Sequence, residues 1–211
     1  MKPGPPPEPR RFFSETIPLQ FNATLDAQER LGESGRELYQ AMREVDATLC
    51  VEVSGEGGGR FYLNIRDGRM SAGDAPTLPP FITILQDRDG FDRLAREAGD
   101  SALALLGGLS GLGGELRLTR KRIEGFAPLK GALRFAVAGE GGFDLITHFG
   151  PGPVPEQPSA SITVDETAYR DLRGGQLDPA EAFMNGKIKV EGDLQLAMQL
   201  ALAMLSPEAP G

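Results

Sequence analysis

The residues best equipped for chemistry are few in this chain and lie far apart. His148 is its single histidine and Cys50 its single cysteine. A catalytic imidazole or thiolate works with a partner within hydrogen-bond reach, and neither residue has such a neighbour in sequence. Cys50 sits in the strand-like run Thr48-Leu-Cys-Val-Glu-Val53, where it reads as a small core hydrophobe. One cysteine can form no internal disulfide and build no zinc cluster. In Gly108-Leu-Ser-Gly-Leu-Gly113, Leu112 stands where a nucleophile elbow needs glycine two places after Ser110. Gly55-Glu-Gly-Gly-Gly59 runs into Arg60 and a strand, not into the helix that a dinucleotide motif requires, so it reads as a hairpin turn. Asp87, Asp89 and Asp92 flank a glycine at the wrong place for a calcium loop and read as capping and solvated carboxylates. The expectation is a protein with no metal, no cofactor and no hydrolytic or transferase activity of its own.

Charge narrows the partners. The net charge of −8 argues against nucleic acid, whose phosphates select a basic face. The only basic cluster is Arg117, Arg120, Lys121 and Arg122. Its plain reading is a solvated strand end, and its sharper one is a transient contact with an acidic membrane surface. The N-terminal MKPGPPPEPRRFF lacks the apolar stretch of a signal peptide. No run reaches the ~18 apolar residues of a membrane span. The cytoplasm is the expected location.

The elements that must position any site follow from periodicity. Residues 1–18 are Pro-rich and without pattern, a disordered tail by composition. Leu31, Leu38, Met42 and Val45 recur at helical spacing, which predicts a helix from about Asp26 to Val45. Leu49, Val51 and Val53, the glycine turn, and Phe61, Leu63 and Ile65 make a β-hairpin, and Phe81-Ile-Thr-Ile-Leu85 a third strand.

A second unit echoes the first. Leu133, Phe135 and Val137, the turn Gly139-Glu-Gly-Gly142, and Phe143 and Leu145 repeat the hairpin. Ser161-Ile-Thr-Val164 and the helix bearing Tyr169 and Leu172 repeat the strand and helix near Phe91 and Leu94. Glu115-Leu-Arg-Leu118 stands where Lys187-Ile-Lys-Val190 stands later. The pattern suggests two diverged repeats, 19–129 and 130–206, between the tail 1–18 and a short tail 207–211. The first copy has the long leading helix and the second the closing one. One interlocked domain is expected.

The stretch Ser161–Leu205 reads as strand, helix, turn, helix, strand and a final helix apolar on almost every side. Leu194, Leu196, Ala197, Met198, Leu200, Ala201, Met204 and Leu205 leave only Gln195 and Gln199 polar. A helix hydrophobic nearly all round needs cover on two sides, from more protein, a partner or an apolar ligand. Asp178-Pro-Ala-Glu181 reads as an N-cap with proline at the first helical position, and Asp193 caps the final helix in the same way. Lys187 and Lys189 alternate with Ile188 and Val190 and belong to the outer face of a strand.

The run Leu172-Arg-Gly-Gly-Gln-Leu-Asp-Pro-Ala-Glu-Ala-Phe-Met-Asn-Gly-Lys-Ile-Lys-Val-Glu-Gly-Asp-Leu-Gln-Leu-Ala-Met-Gln-Leu200 closely resembles the sterol carrier protein-2 family of nonspecific lipid-transfer domains. Arg60-Phe-Tyr-Leu-Asn-Ile-Arg-Asp-Gly-Arg69 also looks like that family's second strand and turn. The resemblance implies an α/β (α+β) fold, a twisted β-sheet covered by helices on one face, with a lipid held between the two. It implies a carrier of a sterol, fatty acyl or quinone-type ligand. The residues placed around such a tunnel are Phe135, Ile162, Phe183, Met184, Ile188, Leu194, Met198, Ala201 and Leu205. Two other roles fit the same pattern: a non-catalytic accessory module for a separate lipid-metabolising enzyme, or a homodimer packed through the final helix.

Overall fold

The structure, a computed structural model, describes residues 6–98 and 118–205, the side chains at 97, 98, 179 and 201–205 excepted. The described residues build one eight-stranded sheet with helices on one face. The strands are β1 (Ala47–Ser54), β2 (Gly59–Arg66), β3 (Arg69–Gly73), β4 (Ile82–Asp87), β5 (Gly131–Ala138), β6 (Phe143–Phe149), β7 (Ala160–Asp165) and β8 (Ile188–Gly192). Across the sheet they run β3-β2-β1-β4-β6-β5-β7-β8. β1–β2 and β5–β6 are antiparallel hairpins, and β4 and β7 return parallel to β1 and β5. β4 pairs with β6, Ile82 opposite Phe149 and Gln86 opposite Leu145, and so joins the two hairpin units.

Strand alternation sorts the sheet into two faces. Leu49, Val51, Val53, Leu63, Ile65, Ile84, Leu133, Val137, Leu145 and Val164 share the apolar face and are buried. The opposite face carries Thr48, Cys50, Asn64, Thr83 and His148. There the Thr48 hydroxyl donates to Asn64 Oδ1 at 2.8 Å, and Thr77 N donates to the same oxygen at 2.9 Å. Asn64 Nδ2 in turn donates to the Ala75 carbonyl, which holds the segment after β3 over this face.

The helices are α1 (Ile17–Arg30), α2 (Arg36–Arg43), α3 (Arg88–Ala98), α4 (Arg120–Phe126), α5 (Glu166–Arg173), α6 (Pro179–Met184) and α7 (Leu194–Leu205). The N-terminal region departs from the disordered tail expected for 1–18. A helical turn Pro9–Arg11 and a π-helical stretch Phe12–Thr16 lead straight into α1. Phe12, Phe13, Ile17, Phe21 and Leu25 are buried against the sheet. The Phe13 ring stacks on Phe61 at 5.1 Å, and Phe12 meets Phe91 edge-on at 5.4 Å. These five aromatic and aliphatic anchors outweigh a Pro-rich flank, because proline is tolerated in a first helical turn. The helix expected over Asp26–Val45 is broken by Gly32, at φ +63°, and the 3-10 turn Gly32–Gly35. Leu31 is therefore exposed, while Met42 and Val45 remain in the core.

Local chemistry sets the turns. Asp67 and Gly68 have φ of +48° and +73° in the two-residue β2–β3 hairpin, the backbone that an Asp-Gly pair favours. Gly68 N donates to the Val45 carbonyl, and a Cβ at Gly68 would strike the end of α2.

Phe13→Ala should cost about 3–5 kcal/mol in chemical denaturation, the usual loss for a buried phenylalanine. A change under 1 kcal/mol would show that the N-terminal segment does not pack. A chain ending at Leu129 leaves β4 without β6. It should give poor amide dispersion, and a sharp cooperative melt of that fragment would contradict the single-domain reading.

Candidate functional site

The apolar face narrows to a half-covered row over β5, β7 and β8. Leu145, Phe135, Ile162 and Val190 stand opposite one another across these strands and β6. Leu145 is buried, but Phe135, Ile162 and Val190 are only half-buried. From Phe135 to Val190 the row spans about 10 Å, two strand spacings.

Two helices flank it. Asp165 caps α5, accepting from Ala168 N at 2.8 Å, and Tyr169 of that helix packs on Phe143 and Phe135 with ring centroids at 5.5 and 6.2 Å. At the opposite end of the strands Gly192, at φ +81°, turns the chain so tightly that a Cβ would collide with the Ser159 carbonyl oxygen. Asp193 N donates to that oxygen, and Asp193 Oδ1 accepts from Leu196 N at 3.0 Å, which starts α7. This helix docks on β5, β7 and β8 through Leu196, Ala197 and Leu200, which are buried. Leu194 and Met198 lie on its other side; Met198 is 58% exposed against 3% for Leu196.

The nine residues placed around a tunnel thus fall into groups. Phe135, Ile162 and Ile188 come together on the sheet face, Ile188 opposite Val164. Leu194 and Met198 point outward instead, because a helix this uniformly apolar has no polar stripe to show which side docks. Phe183 and Met184, on the short helix α6, are exposed, Met184 to 79%. The side chains of Ala201 and Leu205 lie outside the described residues. Val190 completes the row and was legible in the sequence from its alternation with Lys187 and Lys189, which are exposed as expected. Asp178 caps α6, accepting from Ala180 and Glu181.

No local spacing in the sequence marks the cleft between α3 and α5. Arg93, Glu166, Tyr169, Arg170 and Arg173 line a cavity of about 260 Å³. Arg93 pairs with Glu166 at 3.2 Å and lies 5.4 Å from the centre of the Phe143 ring. The Arg173 guanidinium lies 5.8 Å from the centre of Tyr169. Arg93 stands 73 residues before Glu166, so only the fold brings them together.

On the other sheet face Cys50 pairs with Thr83 and Thr83 with His148. The thiol and imidazole thus lie two strands apart, about 10 Å, beyond the hydrogen-bond reach of a catalytic pair. Burial pushes the Cys50 thiol up and the His148 imidazole below its usual 6.5. His148 Nδ1 is buried without a partner, as are both amide atoms of Gln86, next to Leu145 at the inner end of the apolar row. Asp87 accepts from Gly90 N and Asp92 from Arg88, so both serve α3. Among the described residues no cluster suits a metal. Of the basic cluster, Arg117 lies outside the described residues, and Arg120, Lys121 and Arg122 open helix α4 where a strand end was expected, behind the cap Thr119. Arg120 pairs with Glu124. No described helix is long and apolar enough to cross a membrane.

Because folding favours neutral His148, the unfolded chain binds its proton more readily. This contribution is whole above pH 6.5 and is lost as the pH falls below it. Urea midpoints should drop more steeply below that pH for the wild type than for His148→Gln; parallel curves would remove His148 from the acid limb.

Residues 115–204 match the SCP-2 sterol transfer family and carry its sequence pattern. Among curated protein sequences none matches the chain. Solved structures with local likeness include sterol carrier protein 2 like 2 of Aedes aegypti, 20% identical with a TM-score of 0.29, over 41% of this chain and 89% of that one. Its palmitated form in solution is 19% identical with a TM-score of 0.31, over 43% and 96%. The sec-alkylsulfatase Pisa1 of a Pseudomonas species is 10% identical with a TM-score of 0.29, over 58% of this chain and 25% of that one.

Proposed function

We propose that this protein binds and carries a lipid, of the sterol, fatty acyl or quinone kind, along the half-covered row of its sheet. The observation that carries the reading is the row itself. Phe135, Ile162 and Val190 are apolar, adjacent and half-buried between α5 and α7, where a packed sheet would be closed. Each methylene laid on such a surface contributes about 0.8 kcal/mol, so a chain spanning the row gains useful affinity without any polar anchor. The match of residues 115–204 to a sterol transfer family supports the same function. The outward Leu194 and Met198, with Ile188, Phe183 and Met184, form the adaptable rim of the site in this reading. The flexible thioethers suit several ligand shapes. The protein performs no chemistry on its cargo and works in the cytoplasm. The like order of strands in the two hairpin units supports an origin by duplication.

A second reading draws on the exposed residues alone. Met184, Phe183, Leu194 and Met198 could seat a second copy or an enzyme partner, since apolar side chains of this size at the surface mark interfaces when they cluster. The two readings part in one experiment. A dansylated undecanoic acid should bind the wild type, and Ile162→Trp should abolish binding while changing stability by no more than about 1–3 kcal/mol. A wild type that binds no probe, and that native mass spectrometry shows as a lipid-free dimer, would overturn the carrier reading in favour of the interface.

A further inference from the structure

The cleft between α3 and α5 gathers positive charge in an acidic protein. Among the described residues its lining holds three guanidiniums, Arg93, Arg170 and Arg173, and one carboxylate, Glu166, while the chain as a whole carries −8. Arg93 is held in place from two sides, by Glu166 at 3.2 Å and by the Phe143 ring. The β5–β6 turn closes in behind this pair: a Cβ on Gly141 would lie 2.8 Å from an Arg93 guanidinium nitrogen and 3.3 Å from a Glu166 carboxylate oxygen. Arg173 lies over Tyr169. Arg170 and Arg173 are exposed at the mouth, and among the described residues Arg170 has no ion-pair partner. Planar guanidiniums ordered on aromatic faces lose little freedom when they grip an oxyanion in a forked contact.

We propose that this cleft is a binding site for an oxyanion, a carboxylate, sulfate or phosphate, and that its lipid-borne form is the polar end of the cargo. The second clause rests on the lipid reading above; the first rests on the cleft alone. At about 260 Å³ the cavity is smaller than the ~300–1,000 Å³ that encloses a whole ligand, so it takes a head group and leaves the tail outside. Tyr169 supplies the route. One of its neighbours is the Arg173 guanidinium, and another is the Phe135 ring at 6.2 Å, the first half-buried residue of the apolar row. An anion on Arg170 and Arg173 therefore starts a tail that runs past Tyr169 onto Phe135, Ile162 and Val190.

The test compares 11-(dansylamino)undecanoic acid, its methyl ester and inorganic phosphate on the full chain. The wild type should bind the acid about tenfold more tightly than the ester, the margin of a charge-assisted contact, and phosphate should compete with the acid alone. Arg170→Gln with Arg173→Gln should bring the acid down to the ester's affinity and leave the ester unchanged. Both side chains are exposed, and a thermal melt checks the fold; Arg170→Gln alone reads the same loss if the double variant melts early. Equal binding of acid and ester by the wild type overturns the oxyanion site and leaves the lipid reading standing. If neither probe binds but phosphate shifts the Arg170 and Arg173 Nε–H resonances, the site holds for a free oxyanion and the lipid reading fails. If neither probe binds and phosphate shifts nothing, both are overturned.

Discussion

The antiparallel seam between β4 and β6 is the constraint on which the rest of this structure depends. It joins two four-stranded units, β3-β2-β1-β4 and β6-β5-β7-β8, into one sheet with one continuous apolar face. Every helix then has a single surface to cover. Because strand partners point the same way, the seam also lines up Gln86, Leu145, Phe135, Ile162 and Val190 as one row from the sheet's middle to its edge. A slip of one residue at the seam would turn that row to the opposite face.

Cover over that face is unequal. The first unit receives α1 with its lead-in turns, whose Phe12, Phe13, Ile17, Phe21 and Leu25 close it fully. The second receives the eight-residue α5 and the closing α7, entering from opposite ends of β5 and β7. Between them the sheet stays half open. α7 is apolar on the side that docks and apolar on the side that does not, with Leu194 and Met198 in solvent. Leaving large apolar side chains beside an open apolar row forfeits burial that a core would use. A binding surface accounts for that loss better than a packing core does.

What could be read from the chain was what short-range chemistry decides. Hairpins around Gly55–Gly59 and Gly139–Gly142, the caps Asp178 and Asp193, and the outward Lys187 and Lys189 all follow from alternation and turn residues within a few positions. The sheet with helices on one face followed from the family pattern near the C-terminus. The N-terminal helix was hidden because its proline-rich flank carries no helical periodicity, although the phenylalanines behind it are buried. The docking side of α7 was hidden for the opposite reason: a nearly uniform helix carries no directional signal. The arginine cleft depends on contacts 73 residues apart, such as Arg93 with Glu166, that no local spacing announces.

The most direct measurement of the central claim is a set of intermolecular NOEs between the chain protons of a bound fatty acyl probe and methyl-labelled protein. A tail lying along the row gives strong cross-peaks to the methyls of Ile162 and Val190, weaker ones to Ile188, and none to Val51 or Leu63 beneath α1 and its lead-in. Cross-peaks confined to Leu194 and Met198 on the outer side of α7, or to the first half of the sheet, would contradict that claim.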